Sequence, residues 1–180
     1  YTGEISPLML KNFGCGYVIL GHSERRRYFS EKNEEISLKV VSALKNGLIP
    51  VICVGETKLQ REEHKALDVI TEQVVKALAD VSRTKAGQIV IAYEPVWAVG
   101  SDLTPTSHEI MEVKVLIRKI LTALFGNKYA DEVKILYGGS VKVATVKEVY
   151  LGPGMDGVLV GRESLTPHEF IKIAALINEN

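Results

Sequence analysis

Five short segments of this chain are apolar at nearly every position, and that pattern limits the fold more than any other feature. They are YVIL (Tyr17–Leu20), IPVICV (Ile49–Val54), QIVIAY (Gln88–Tyr93), KILY (Lys134–Tyr137) and DGVLV (Asp156–Val160). A half-buried strand alternates apolar and polar residues, whereas a strand covered on both faces does not. Between the segments run stripes at helical spacing: Ile36, Val40, Val41 and Leu44, then Leu67, Ile70, Val74 and Leu78, then Ile110, Val113, Ile117, Ile120 and Leu124. Gly47 stands where the first stripe should end. Helix starts are signalled at Ser6-Pro7, at Thr106 with Glu109 three residues on, and at Thr166-Pro167 with Glu169. The order is α-β-α-β-α-β-α-β-α-β-α, and such alternation demands parallel strands with right-handed crossovers. No repeat, low-complexity stretch or linker interrupts residues 1–180, which read as one domain.

Composition excludes several functions. Equal numbers of basic and acidic residues, 22 each, leave no net charge, and Arg25-Arg26-Arg27 is the only basic block, so no nucleic-acid footprint is expected. Cys15 and Cys53 have no CxxC spacing, and His22, His64, His108 and His168 are scattered, so no metal site is expected. Both cysteines lie in apolar stretches, as reduced thiols of a cytoplasmic protein do. No apolar run has the length needed to cross a membrane. The chain opens on Tyr1, which is not expected to be a native translation start.

In parallel sheets of this kind, chemistry sits at the carboxyl ends of the strands. Here the strands are followed by Gly21-His22-Ser23-Glu24, Gly55-Glu56-Thr57, Glu94-Pro95-Val96-Trp97, Gly138-Gly139-Ser140 and Gly161-Arg162. Glu94 follows an apolar strand, where partial desolvation suits a carboxylate to act as a general base; the competing reading is a capping or ion-paired glutamate. His22 stands at the start of a helix, which disfavours an imidazolium and leaves a ring able to donate to a developing oxyanion, or it is a satisfied structural histidine. Glu24 either supports that site or pairs with Arg25 or Arg26. YGGS (Tyr137–Ser140) and VGRES (Val160–Ser164) are turns whose backbone N–H groups suit phosphate. A base, a neutral electrophile and a phosphate grip together suit enolisation of a small phosphorylated sugar.

The motifs YTGEIS, YVILGHSERR, PVICVGET, AYEPVWAVG, ILYGGSV and DGVLVG, in this order along the whole chain, strongly resemble triosephosphate isomerase. That family is itself a standard illustration of a glutamate base working with a neutral histidine. The resemblance implies a cofactor-free enzyme of glycolysis and gluconeogenesis, interconverting dihydroxyacetone phosphate and glyceraldehyde 3-phosphate in the cytoplasm. By motif, Glu94 matches the base, His22 the electrophile and Glu24 the supporting carboxylate. Gly100, Ser140, Gly161 and Arg162 match the phosphate binders. Thr2 and Glu4 match a loop that helps build the family's dimer, so a homo-oligomer is implied.

The sequence departs from the family in three places. A complete barrel takes about 250 residues and eight strands; these residues carry five strands, and none matches the family's catalytic Asn and Lys. The lid that follows Gly100 reads Ser101-Asp102-Leu103-Thr104-Pro105, with Asp102 in place of a glycine and Pro105 fixing φ beside a hinge. Arg162 replaces the second glycine of a Gly-Gly pair; its guanidinium can attract phosphate or its bulk can obstruct the approach. These departures imply weak or absent turnover by this chain alone. The alternative is a non-catalytic family member, a phosphate-binding or self-assembling module. The expected fold is α/β with five parallel strands, either a partial TIM barrel or an open flavodoxin-like sheet, not a closed eight-stranded barrel. An open sheet covered by helices is the arrangement a single chain is expected to favour.

Overall fold

A computed structural model of the chain describes residues 2–100 and 103–179. The elements run α1 (Pro7–Asn12), β1 (Tyr17–Leu20), α2 (Ser23–Tyr28), α3 (Asn33–Lys45), β2 (Ile49–Val54), α4 (Lys58–Glu62), α5 (Ala66–Leu78), β3 (Val90–Tyr93), α6 (Ser107–Phe125), α7 (Asn127–Ala130), β4 (Lys134–Tyr137), α8 (Val146–Tyr150), β5 (Gly157–Val158) and α9 (Pro167–Asn178). All pairings are parallel, and the strands lie side by side in chain order, β1-β2-β3-β4-β5. That order decides between the two expected arrangements. Each strand neighbours its successor, as in a β/α barrel, and the sheet stays open. A flavodoxin-like sheet would reverse the strand order at a switch point, and none is present among the described residues.

The helices gather on one face. Leu20, Ile52, Val54, Ile91, Tyr93, Ile135 and Tyr137 pack with the buried sides of α3, α5, α6, α8 and α9 in one large core. The alternate strand residues form a separate cluster of Val51, Cys53 and Ala92, edged by Val90, Leu136 and Leu159, with no helix residue in it. The expected open, helix-covered sheet therefore carries its helices on one face, because the chain-order topology sends the crossovers to the same side. Only the central strands bury both faces. In β2 every residue after Ile49 is buried, whereas β1, at the edge, leaves Tyr17 61% and Ile19 48% exposed.

Local chemistry explains most element ends. The Ser6 hydroxyl accepts from the Met9 N–H at the start of α1, and Thr106 and Glu109 exchange side-chain-to-backbone bonds at the start of α6. Gly47, just past α3, takes a φ of +69°. At α9 the expected hydroxyl cap does not form: Thr166 makes no side-chain cap bond, and Pro167 begins the helix unaided. Gln88 closes a 3₁₀ turn over Arg83–Gln88, so β3 starts at Val90 rather than Gln88. The last strand is shorter than expected and covers Gly157–Val158.

The third stripe is where the helical period matters most. Ile110, Val113, Ile117 and Ile120 are buried, but Leu124 is 39% exposed, and Leu121 and Phe125 finish the face in its place. Ile117→Ala should lower unfolding free energy by about 2–5 kcal/mol, and Leu124→Ala by less than half as much, as read from urea midpoints.

Candidate active site

Glu94 leaves β3 one residue after its last ladder position and remains tied to both neighbouring strands. Its N–H donates to the Val54 carbonyl at 2.7 Å, and the preceding Tyr93 carbonyl accepts from the Gly138 N–H at 2.7 Å. Two residues on, the Val96 N–H donates to the Glu56 carbonyl at 3.0 Å. The backbone at Gly55 fills the gap between these bonds. A Cβ on Gly55 would stand 2.0 Å from the Glu94 carbonyl oxygen, so no other residue fits this approach. Gln73, on α5, fixes the same glycine from behind: its Oε1 accepts the Gly55 N–H at 2.7 Å, and its Nε2 donates to the Gly55 carbonyl at 3.2 Å. Glu94 is 3% exposed.

His22 is delivered by Gly21, whose φ of +69° suits glycine alone and whose Cβ position is crowded by Ile36 and Arg26. The Arg26 guanidinium braces this turn, donating to the Gly21 carbonyl at 2.8 Å, the Cys53 carbonyl at 3.3 Å and Asn33 Oδ1 at 2.6 Å. The ends of β1 and β2 are thereby held together.

The two side chains meet. His22 Nε2 lies 2.7 Å from Glu94 Oε1, and Glu94 Oε2 accepts the Ser23 N–H at 3.0 Å. The other ring nitrogen, Nδ1, accepts the Glu24 N–H at 3.3 Å. Because Nδ1 is an acceptor, the hydrogen-bond pattern assigns the proton of the neutral ring to Nε2, directed at Glu94. The bond to Glu94 raises the His22 pKa above its ordinary 6.5; burial opposes this, and the charges of Glu94 and Glu24 add to the rise. The helix start alone was expected to keep the ring neutral. The carboxylate at contact distance outweighs it.

A second carboxylate, unassigned from sequence, lies behind the first. Glu56 has no exposure, and it accepts from Trp97 Nε1 at 2.7 Å, Arg61 Nη1 at 3.1 Å and, more loosely, the Tyr93 hydroxyl at 3.3 Å. Arg61 also stacks on Trp97, 4.8 Å from the ring centroid, and bonds Glu109 at the cap of α6. Burial, and then the Glu56 charge, push the Tyr93 hydroxyl well up, so it remains a donor. This network joins the residues before the lid to those after it. Its only sequence sign was a glutamate after an apolar strand, the same sign that marked Glu94.

Every residue expected in the site lines one cavity of about 460 Å³: His22, Glu24, Glu94, Gly100, Ser140, Gly161 and Arg162. Glu24 is not paired with Arg25 or Arg26. Arg25 binds Glu4 and Glu31, and Arg26 is engaged by carbonyls and Asn33. Lys142, two residues past Ser140, also lines the cavity and was missed in the sequence. Asp102, which stands in the lid in place of a glycine, lies outside the described residues. Burial pushes the Cys53 thiol well up, which leaves it unreactive behind the site. Among the described residues no cluster of three metal-ligating side chains occurs, and no helix is long and apolar enough to cross a membrane.

Fold and site together define an α/β protein of the β/α-barrel type, with a carboxylate, an imidazole and glycine-bearing turns at the carboxyl rim of its sheet. The profile of the triosephosphate isomerase family matches residues 1–177. Triosephosphate isomerase from Thermoanaerobacter sp. (strain X514) is 49% identical over 173 residues, covering 96% of this chain and 70% of that protein. The enzyme from Dictyoglomus turgidum is 49% identical, covering 94% and 68%, and that from Chlorobaculum tepidum 48%, covering 96% and 70%. The chain belongs to the triosephosphate isomerase family.

The His22–Glu94 contact has a measurable signature. A histidine whose folded pKa is raised adds stability that is complete below about pH 6.5 and fades as pH climbs through the folded value. In an NMR titration His22 should have its midpoint above 6.5, and Glu94→Gln should bring that midpoint down. A midpoint that ignores the substitution contradicts the contact.

Proposed function

We propose that this cavity enolises a triose phosphate, interconverting dihydroxyacetone phosphate and glyceraldehyde 3-phosphate without a cofactor. The observation that carries this reading is the 2.7 Å contact between Glu94 and His22 inside a cavity rimmed by glycine turns. A base and a hydrogen-bond donor already converge on one point. A substrate carbonyl entering between them takes the Nε2 proton donor of His22, and Glu94 is left facing the adjacent carbon. Glu94 removes a proton from that carbon while His22 Nε2 gives its proton to the carbonyl oxygen. The ring then takes the proton of the neighbouring hydroxyl, and Glu94 returns its own proton to the former carbonyl carbon, so that carbonyl and hydroxyl have changed places. Leaving Glu94 also removes the main cause that raises the His22 pKa, so the ring works in its neutral form. Gly100, Ser140 and Gly161 hold the phosphate with backbone N–H groups, and Glu24 supports His22 through its own N–H.

Turnover by this chain alone is weak on this reading. No residue matches the family's Asn and Lys, and one missing donor of that kind costs about 3–4 kcal/mol in the transition state. A second reading, a self-assembling module, is supported by the apolar surface around the β1 edge, where Ile5 is 66%, Phe13 86% and Tyr17 61% exposed. Both are tested by assaying purified chain for isomerisation while its mass in solution is measured. Any turnover should fall about 100- to 10,000-fold in Glu94→Gln. Turnover unchanged by that substitution removes Glu94 from the reaction, and association without any turnover favours the second reading.

A further inference from the structure

The anion-binding end of the cavity contains a side-chain cation in an unusual place. Arg162 begins the turn after β5, yet its guanidinium reaches the opposite wall: a Cβ on Gly100 would lie 3.6 Å from Nη2. The side chain therefore spans from the β5 turn to the glycine that opens the lid. Among the described residues no carboxylate pairs with Arg162, although Arg25, Arg26, Arg61 and Arg118 each hold a partner. The backbone N–H groups of Ser140 and Gly161, which border the same space, likewise have no acceptor among the described residues. Unbonded donors from two loops and an uncommitted guanidinium thus enclose one volume, and none of the groups named can supply an acceptor to the others. Donors converging in this way suit an anion with several oxygens.

We propose that Arg162 is the charged ligand of this site, gripping a phosphomonoester dianion between its guanidinium and the N–H groups of Ser140 and Gly161. The inference rests on the cavity being the substrate site and adds that its phosphate end is held by a full positive charge as well as by backbone dipoles. A guanidinium offers two parallel donors to two phosphate oxygens, a match that an ammonium or a lone amide lacks. Affinity at this end is consequently sensitive to ionic strength, and a site built only of backbone N–H groups would be much less so.

The test is a titration of the full chain with inorganic phosphate at low and high salt, followed by the amide signals of Ser140 and Gly161. Parent protein should bind with shifts at those two amides and lose affinity as salt rises. Arg162→Gln keeps most of the side chain's length and Arg162→Gly removes it; Arg162 is exposed, so both should fold. Each should weaken phosphate binding about tenfold or more, the loss expected for a hydrogen bond to a charged group, with a flatter salt dependence. Binding that is equal or tighter in either variant, or shifts located away from Ser140 and Gly161, overturns the proposal and makes Arg162 an obstacle. Glu94→Gln, tested in parallel, should bind phosphate as the parent does. If that variant retains turnover, the enolisation reading falls while the assignment of Arg162 stands.

Discussion

The rim of this sheet depends on how closely two backbones approach where β2 and β3 end. Gly55 leaves no space for even a methyl group beside the Glu94 carbonyl, and the bonds from Glu94 N–H to Val54 and from Val96 N–H to Glu56 carry the parallel register past the strands themselves. A side chain at Gly55 would push the two chains apart and swing the Glu94 carboxylate away from His22. Gln73 makes the approach rigid, since its amide satisfies both polar groups of the Gly55 residue from inside the helix layer. The same layer thus supports the core and aims the carboxylate.

Charge is handled differently at Glu94 and Glu56, the two buried glutamates of the rim. Glu94 meets a ring and a backbone N–H, both of which a substrate can replace. Glu56 is enclosed by Trp97, Tyr93 and Arg61, and loss of one of these partners would leave a buried carboxylate under-satisfied. Glu94 therefore has partners that an incoming molecule can displace, whereas Glu56 is fixed. Through Arg61 and Glu109, that fixed charge also ties the start of the lid at Trp97 to the helix that follows it.

Much of this was legible in the residues. Unbroken apolar runs gave the strands, helical stripes gave the crossovers, and what followed each run marked the rim, because parallel β/α units leave their polar loops at one end. His22 and Glu94 could be identified there, and the resemblance of their motifs gave them partners. Three things were not legible. The side on which the crossovers packed depended on strand order, which no local pattern encodes. Glu56 and Glu94 carried the same local signal, and only the surrounding donors separate a structural carboxylate from an available one. The contact that raises the His22 pKa joins residues 72 positions apart in numbering, so the helix start was the only influence visible locally.

The Gly55→Ala substitution probes this backbone approach at its tightest point. Gly55→Ala should lose about 2 kcal/mol or more of stability, in the range for overpacking a tight site, and the Ser23 amide and His22 ring signals should shift because Glu94 has moved. A variant with the parent's denaturation midpoint and unaltered Ser23 and His22 signals would contradict it, since the backbone approach would then not be what places the carboxylate.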